Sequence, residues 1–315
     1  MANKRQVDTK NNTPRVGIFM PAYNQGQYIH EAIESLKKQT YQDFIVHIVD
    51  DGSTDGATPS ILRSIRYSKA KKFLNTSNAG MNIRTGEHLS SLHTELMFIL
   101  CADDTIEPTF IEKCVAFLDA NPSHAAVATA ISYFGSQTGV HTYDNDKVDL
   151  KNMLVENNFL GSSLVRGSAM EEIGWTNQNL RVRNDYDRWV SILENGHKLG
   201  TIDEPLFNYR ILESSLSRSN IEPSDVATFY EQFINKHRKA YTNNFEYVIT
   251  ELQSEKQRLS NEWQEKHRGH EWLDAEYRKQ LKQITAMRKQ NKELTVELNR
   301  ITSHWLYKLL RLLHK

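Results

Sequence analysis

The chain is poor in cysteine. Cys101 and Cys114 are the only two in 315 residues. They form no CxxC or other metal-like spacing, so a disulfide framework, a zinc motif and dithiol chemistry are all excluded, and a reducing compartment is expected. No apolar stretch reaches 18 residues, which leaves no spanning segment. The leading MANKRQVDTKNNTPR is charged and polar with no apolar run behind it, so no secretory signal is expected. The GxGxxG fingerprint and the GxxxxGK[ST] phosphate loop are both missing, which argues against hydride transfer and against a Walker-type nucleotidase. None of the 12 histidines clusters at ligand spacing, so each reads as structural or exposed.

What is present is an ordinary globular composition, 39% hydrophobic and 25% charged, in a chain long enough for about two domains of roughly 150 residues. The balanced total charge hides an asymmetry, net −5 over residues 1–223 and net +5 over 224–315. Turn formers divide at the same place. The last proline is Pro223, and Gly269 is the only glycine beyond Gly200. A turn-rich region is therefore followed by a rod-like one.

Residues 1–14 read as a disordered lead. The short apolar run Val16–Met20, ended by Pro21, predicts a buried strand. Ile29, Ala32, Ile33 and Leu36 recur at helical spacing after it. A second apolar run, Phe44–Val49, ends in the turn-forming Asp50-Asp51-Gly52-Ser53, and a third, Leu96–Leu100, ends in Cys101-Ala102-Asp103-Asp104. Strands alternating with helices predict a parallel sheet covered on both faces, with ligands at the carboxyl ends of the strands. Those ends carry Tyr23 and Asn24, Asp51, and Asp103 with Asp104. Adjacent carboxylates there are hard oxygen ligands suited to Mg or Mn, and such a cation can neutralise a diphosphate. The Asp103-Asp104 pair equally suits a strand-end turn leading to a helix N-cap.

Met20-Pro21-Ala22-Tyr23-Asn24, Val49-Asp50-Asp51-Gly52-Ser53-Thr54-Asp55, Asn78-Ala79-Gly80, Asp103-Asp104 and Asn184-Asp185-Tyr186-Asp187-Arg188-Trp189 follow one another along the chain. In this order, with Tyr209-Arg210 and Ser215-Leu216-Ser217 after them, they resemble the inverting glycosyltransferases of family 2 over about residues 15–220. The resemblance implies an α/β GT-A fold, a Rossmann-like nucleotide-binding sheet continuous with an acceptor subdomain. It implies that Pro21, Ala22, Tyr23 and Asn24 line a nucleotide-sugar site, and that Asp51 accepts a hydrogen bond from the base. It further implies that Asp103, with Asp104 beside it, binds the divalent metal, Mn or Mg, and that Asp185 is the general base. A carboxylate can accept a uracil or thymine imino proton, which favours a UDP- or dTDP-sugar, and Arg84 is a candidate phosphate partner. The expected function is transfer of that sugar, with inversion, to a hydroxyl of a lipid-linked or surface polysaccharide. Cys101, Asn184 and Leu212 stand where the family pattern has Asp, Glu and His; a degenerate nucleotide-sugar-binding or scaffold protein is the rival reading. Asp185 also suits a first-turn acid compensating the helix dipole, and Asp187 is the fallback base.

From Ile249 to Trp305 a 3-4 spacing runs unbroken, and 12 of its 17 positions are apolar. This predicts a coiled coil over 246–302, after a helical linker at 221–245, with a parallel homodimer as first choice and Asn291 as a register-setting residue. Bending or folding back near Lys256, Lys266, Gly269 and His270 is the alternative. Residues 303–315 form a basic amphipathic end with Trp305, and 278–315 carry net +8. That predicts an anionic membrane surface as partner, hence a cytoplasmic protein peripheral on the inner face of the membrane, with closure of the coil or a protein partner as the alternative. No nucleic-acid-binding motif accompanies the basic residues.

Overall fold

Apolar runs of four to seven residues, each cut short by a turn, build the first half of the sheet. They are β1 (Val16–Ala22), β2 (Phe44–Asp50), β3 (Ala70–Leu74) and β4 (Leu96–Ile99), with α1 (Gly26–Lys37), α2 (Thr58–Ser64) and α3 (Met81–Leu92) between them. The computed structural model describes residues 13–180, 182–212, 222–266, 278–297 and 300. Side chains alternate between faces along each strand. Val16, Ile18 and Met20 of β1 and Leu96 and Phe98 of β4 join one core. Phe19, Met97 and Ile99 join a second core on the opposite face. Each fully buried Phe or Leu contributes about 1.5–3 kcal/mol, so both cores hold the strands in register.

The second half is not what the repeating pattern predicts. It contains β5 (Thr105–Ile106), α4 (Phe110–Ala120), β6 (His124–Gly135), β7 (Gly139–His141), α5 (Leu150–Met153), β8 (Leu164–Arg166), α6 (Gly167–Glu172), α7 (Asn184–Glu194) and β9 (Lys198–Ile211). The sheet has nine strands in the order β3-β2-β1-β4-β8-β6-β9-β5, with β7 on β6. β1 through β4 are parallel, but β8 is antiparallel to both β4 and β6. The expected parallel sheet is therefore a mixed one. Two reversals restore direction, so β6 runs parallel to β4, and β9 is parallel to β6. The carboxyl ends of β1, β2, β4, β6 and β9 thus share one edge, and the segment leading into β8 starts from it.

The stretch expected to be a linker is instead part of this unit, which runs to Thr250. It forms α8 (Pro223–Lys236) and α9 (Arg238–Asn243). Phe229, Phe233 and Ala240 are buried in the second core beside Tyr186 and Trp189 of α7. Phe233 stacks near Tyr186 at 4.5 Å between ring centroids.

In the second unit, Glu251–Lys315, helix is described as the rest of α10 (Phe245–Lys266) and again over 278–297. Residues 35 apart in one straight helix are about 52 Å apart at about 1.5 Å per residue. Arg288 Nη2 nevertheless donates to Gln253 Oε1 at 3.2 Å. The single straight rod is therefore replaced by two helices folded back on each other, the alternative that the weak middle of the repeat allowed. Leu252, Leu259, Met287 and Leu294 stay exposed. The central repeat positions His270, Leu273 and Tyr277, the segment Ser215–Ser217 and the basic tail 303–315 lie outside the described residues.

Candidate functional site

The loops after β1 and β2 are tied together by Asn24. Its side-chain oxygen accepts from the Thr54 and Asp55 amides at 2.8 and 3.1 Å, while its own amide donates to Ser53 Oγ at 2.9 Å. Asn24 has φ 56°, a left-handed conformation that Asn tolerates better than most residues. Pro21 and Ala22 contribute backbone: their carbonyls accept from Ala102 and Asp51 at 3.2 and 2.9 Å. Tyr23 is left 36% exposed on the edge.

Asp51, buried at 5% exposure, is held by three donors. Oδ1 accepts from the Ala79 amide at 2.9 Å and from Arg84 Nε at 2.8 Å, and Oδ2 accepts from the Gly80 amide at 2.8 Å. The amides precede α3, so the carboxylate also sits where the helix dipole favours negative charge. A carboxylate offers about four lone-pair positions; those donors leave one, on Oδ2. Gly52 makes this packing feasible. Its φ is +70°, and a Cβ there would lie 2.4 Å from the Ser77 carbonyl carbon. Arg84 is itself occupied, donating to Glu87 at 2.9 Å and to the Ser77 carbonyl at 3.1 Å as well.

After β4, Cys101, Asp103 and Asp104 each present a ligand atom within 4.8 Å of the others. The turn is closed by the Asp104 amide donating to the Cys101 carbonyl at 3.1 Å. Arg210 at the end of β9 pins it from the other side. Its amide donates to Asp104 Oδ1 at 2.9 Å, its Nε to the Asp103 carbonyl at 2.8 Å and its Nη2 to Glu31 at 2.6 Å. The guanidinium lies between the Tyr28 and Phe134 rings, 4.6 and 4.2 Å from their centroids. Burial pushes both Asp103 and Asp104 above the usual carboxylate range, and Asp103 raises Asp104 further. Crowded carboxylates that resist ionisation gain from a divalent cation, and two carboxylates beside a thiol fit Mn or Mg with oxygen as the principal donor.

Asp185 stands in the first turn of α7. Asn157 Nδ2 donates to its Oδ2 at 3.1 Å. A Cβ at Gly161 would lie 3.2 Å from Asp185 Cβ and Oδ2, close enough to push the carboxylate by a few tenths of an ångström. Asn157 and Gly161 belong to the segment entering β8, which begins at the same sheet edge as the ends of β1, β2 and β4. Tyr143, its phenol pushed up by burial and by the charges of Tyr133 and Asp185, adds an aromatic neighbour. Asp187, the fallback base, is committed elsewhere. It accepts from Lys236 Nζ at 2.6 Å and from His237 Nε2 at 3.1 Å, while His237 Nδ1 meets Glu194 at 2.5 Å.

Asn157, Gly161, Arg210 and the His237 cluster carry no local sequence signal for these contacts. Only the closing Tyr-Arg pair flagged Arg210.

Residues 17–172 match the family model described as glycosyl transferase family 2. An uncharacterized glycosyltransferase of Methanocaldococcus jannaschii is 24% identical over 245 residues, 73% of this chain and 83% of that protein. A Bacillus subtilis glycosyltransferase named for teichuronic acid biosynthesis is 27% identical over 239 residues, 71% of this chain and 89% of the relative. Among solved structures, S. aureus TarS 1–349 in complex with UDP-GlcNAc aligns with TM-score 0.59 at 18% identity, over 70% of this chain and 65% of its own. The mixed sheet agrees with the GT-A fold. The chain thus carries a family 2 glycosyltransferase domain, and it is a transferase enzyme.

Proposed function

We propose that the β1–β4 edge binds the nucleoside diphosphate of a UDP- or dTDP-sugar, and that Asp185 is the general base for transfer of the sugar to a polysaccharide hydroxyl. The observation that carries this reading is the sharing of one sheet edge by three differently held carboxylates. Asp51 keeps one acceptor position open, which suits one imino proton of uracil or thymine. Pro21, Ala22 and Tyr23 frame the base, and Asn24 fixes their loop. Arg84 serves the donor by orienting Asp51, to which its Nε donates while Nη1 and Nη2 hold Glu87 and the Ser77 carbonyl.

Asp103 and Asp104 would hold the cation that meets the diphosphate charge, while Arg210, paired with Glu31, braces their turn. When bound, a divalent ion there supplies Lewis-acid stabilisation of the departing diphosphate, worth several kcal/mol. Asp185 takes the proton of the acceptor hydroxyl as its oxygen bonds to the anomeric carbon and the bond to the diphosphate breaks on the opposite face. A single displacement of this kind inverts the configuration. A polysaccharide acceptor is supported by the relative named for teichuronic acid biosynthesis.

The test is incubation with a panel of nucleotide sugars and Mn, with proton NMR of the product. Transfer with inverted anomeric configuration is expected; absence of binding, hydrolysis and transfer across the panel would overturn the reading. No helix among the described residues is long and apolar enough to cross a membrane, and peripheral attachment is proposed through residues 303–315. The exposed Leu252, Leu259, Met287 and Leu294 are proposed to pair with a second copy. Light scattering on the full chain and on a variant ending at Thr250 checks this, and equal monomer masses would contradict it.

A further inference from the structure

Six side-chain nitrogen or oxygen atoms among the described residues are buried without a hydrogen-bond partner, and four lie on α7: Asn184 Oδ1, Tyr186 Oη, Arg188 Nε and Trp189 Nε1. Arg188 is the costliest. Its residue is 5% exposed, and leaving a buried guanidinium with an unpaired donor is disfavoured. Helical side chains lean toward the N-terminus of their helix, so Arg188 leans back toward Asp185, one turn earlier. Its Nη1 donates to the Gly161 carbonyl at 3.5 Å, and Gly161 is the residue that packs on the Asp185 carboxylate. The guanidinium also lies 5.1 Å from the Trp189 ring centroid, which limits its swing.

We propose that Arg188 is a positioning residue for Asp185: its bond to Gly161 fixes the 157–161 segment against α7 and keeps the carboxylate aimed at the acceptor. This rests on Asp185 being the base. The charges around the pair favour that division of labour. Burial lowers Arg188 while the charges of Asp185 and Asp187 oppose the shift. Asp187 is already engaged by Lys236 and His237, and His237 is shared with Glu194. Tyr143, raised by burial and charge, faces Asp185 from the segment after β7. Asp185 therefore remains the carboxylate that Arg188 can serve without competition from those partners.

The test compares Arg188→Met, Arg188→Lys and Asp185→Asn in the full chain. Removing one side of a buried charge pair is often destabilising, so thermal melts accompany the kinetics. Arg188→Met should lower kcat at least tenfold with donor KM within about twofold. Arg188→Lys should recover kcat to within about threefold of the parent. Should Arg188→Met not fold, the Lys variant decides, and a kcat lowered tenfold or more in it contradicts the proposal. A Met variant with the parent kcat overturns the proposal while Asp185→Asn remains inactive. Retained turnover in Asp185→Asn overturns the base assignment itself and this inference with it.

Discussion

The two halves of the sheet satisfy their polar groups to different extents. Around β1–β4, Asn24, Asp50 and Asp51 each accept hydrogen bonds from backbone amides, so the loops are set before any ligand arrives. Around α7, four buried polar atoms lack partners, and Asp185 accepts one side-chain hydrogen bond, from Asn157. A preorganised surface suits recognition of an unchanging nucleotide, because binding then orders little. A less satisfied carboxylate suits proton transfer, because its free positions can meet an incoming hydroxyl. On the proposed reading, rigidity and reactivity fall on different parts of one edge.

The largest expected effect comes from the rigid half. Asp51→Ala leaves the Ala79 and Gly80 amides and Arg84 Nε without their acceptor in a buried setting, where breaking one side of such a pair costs about 3–5 kcal/mol. Donor binding should vanish and the melting temperature should fall, as calorimetry and thermal melts would read. A variant that binds donor normally would dissolve the contrast between the halves.

A smaller effect separates support from chemistry in the other half. His237→Ala should destabilise the domain by about 2–3 kcal/mol by leaving Asp187 and Glu194 short of a buried partner, with donor affinity unchanged. Burial alone would raise the Asp187 carboxyl, yet hydrogen bonds from His237 and Lys236 outweigh it and hold it below its ordinary 3.8. A carboxyl held low in the fold lends stability that is complete above that ordinary value and fades as pH falls below it. Denaturant melts between pH 2 and 6 should show this loss in the parent and a weaker one in Lys236→Met. Parallel curves would mean that the cluster does not anchor α7.

The smallest effect sharpens the comparison most finely. Asn157→Ala removes one hydrogen bond to a carboxylate, worth about 1.5 kcal/mol, so kcat should fall about tenfold with donor KM unchanged. A change confined to KM would move Asn157 to the donor side.

The donor half was legible because its information is local. Each of β1, β2 and β4 is an apolar run closed by a turn, and Asp51 and Asp103 stand at the ends where a parallel sheet exposes them. β9 was not, since Lys198–Ile211 carries Asp203, Glu204 and Pro205 in its middle and its partner β6 lies more than 60 residues earlier. Asp185 was visible through its motif, but Asn157, Gly161 and His237 reach it or its helix across 24 to 52 residues, a distance no periodicity records. Asp187 looked interchangeable with Asp185 until Lys236 and His237 were seen to occupy it. The 3-4 repeat of the C-terminal region fits one long helix or two folded back, and the contact of Arg288 with Gln253 distinguishes them.

The most direct measurement pairs donor calorimetry with single-turnover transfer on Asp185→Asn in the presence of Mn. The division between a prepared nucleotide edge and a separate proton acceptor predicts donor affinity within about twofold of the parent and transfer slowed by at least about 100-fold. Transfer at the parental rate would contradict it, and so would donor binding lost together with transfer.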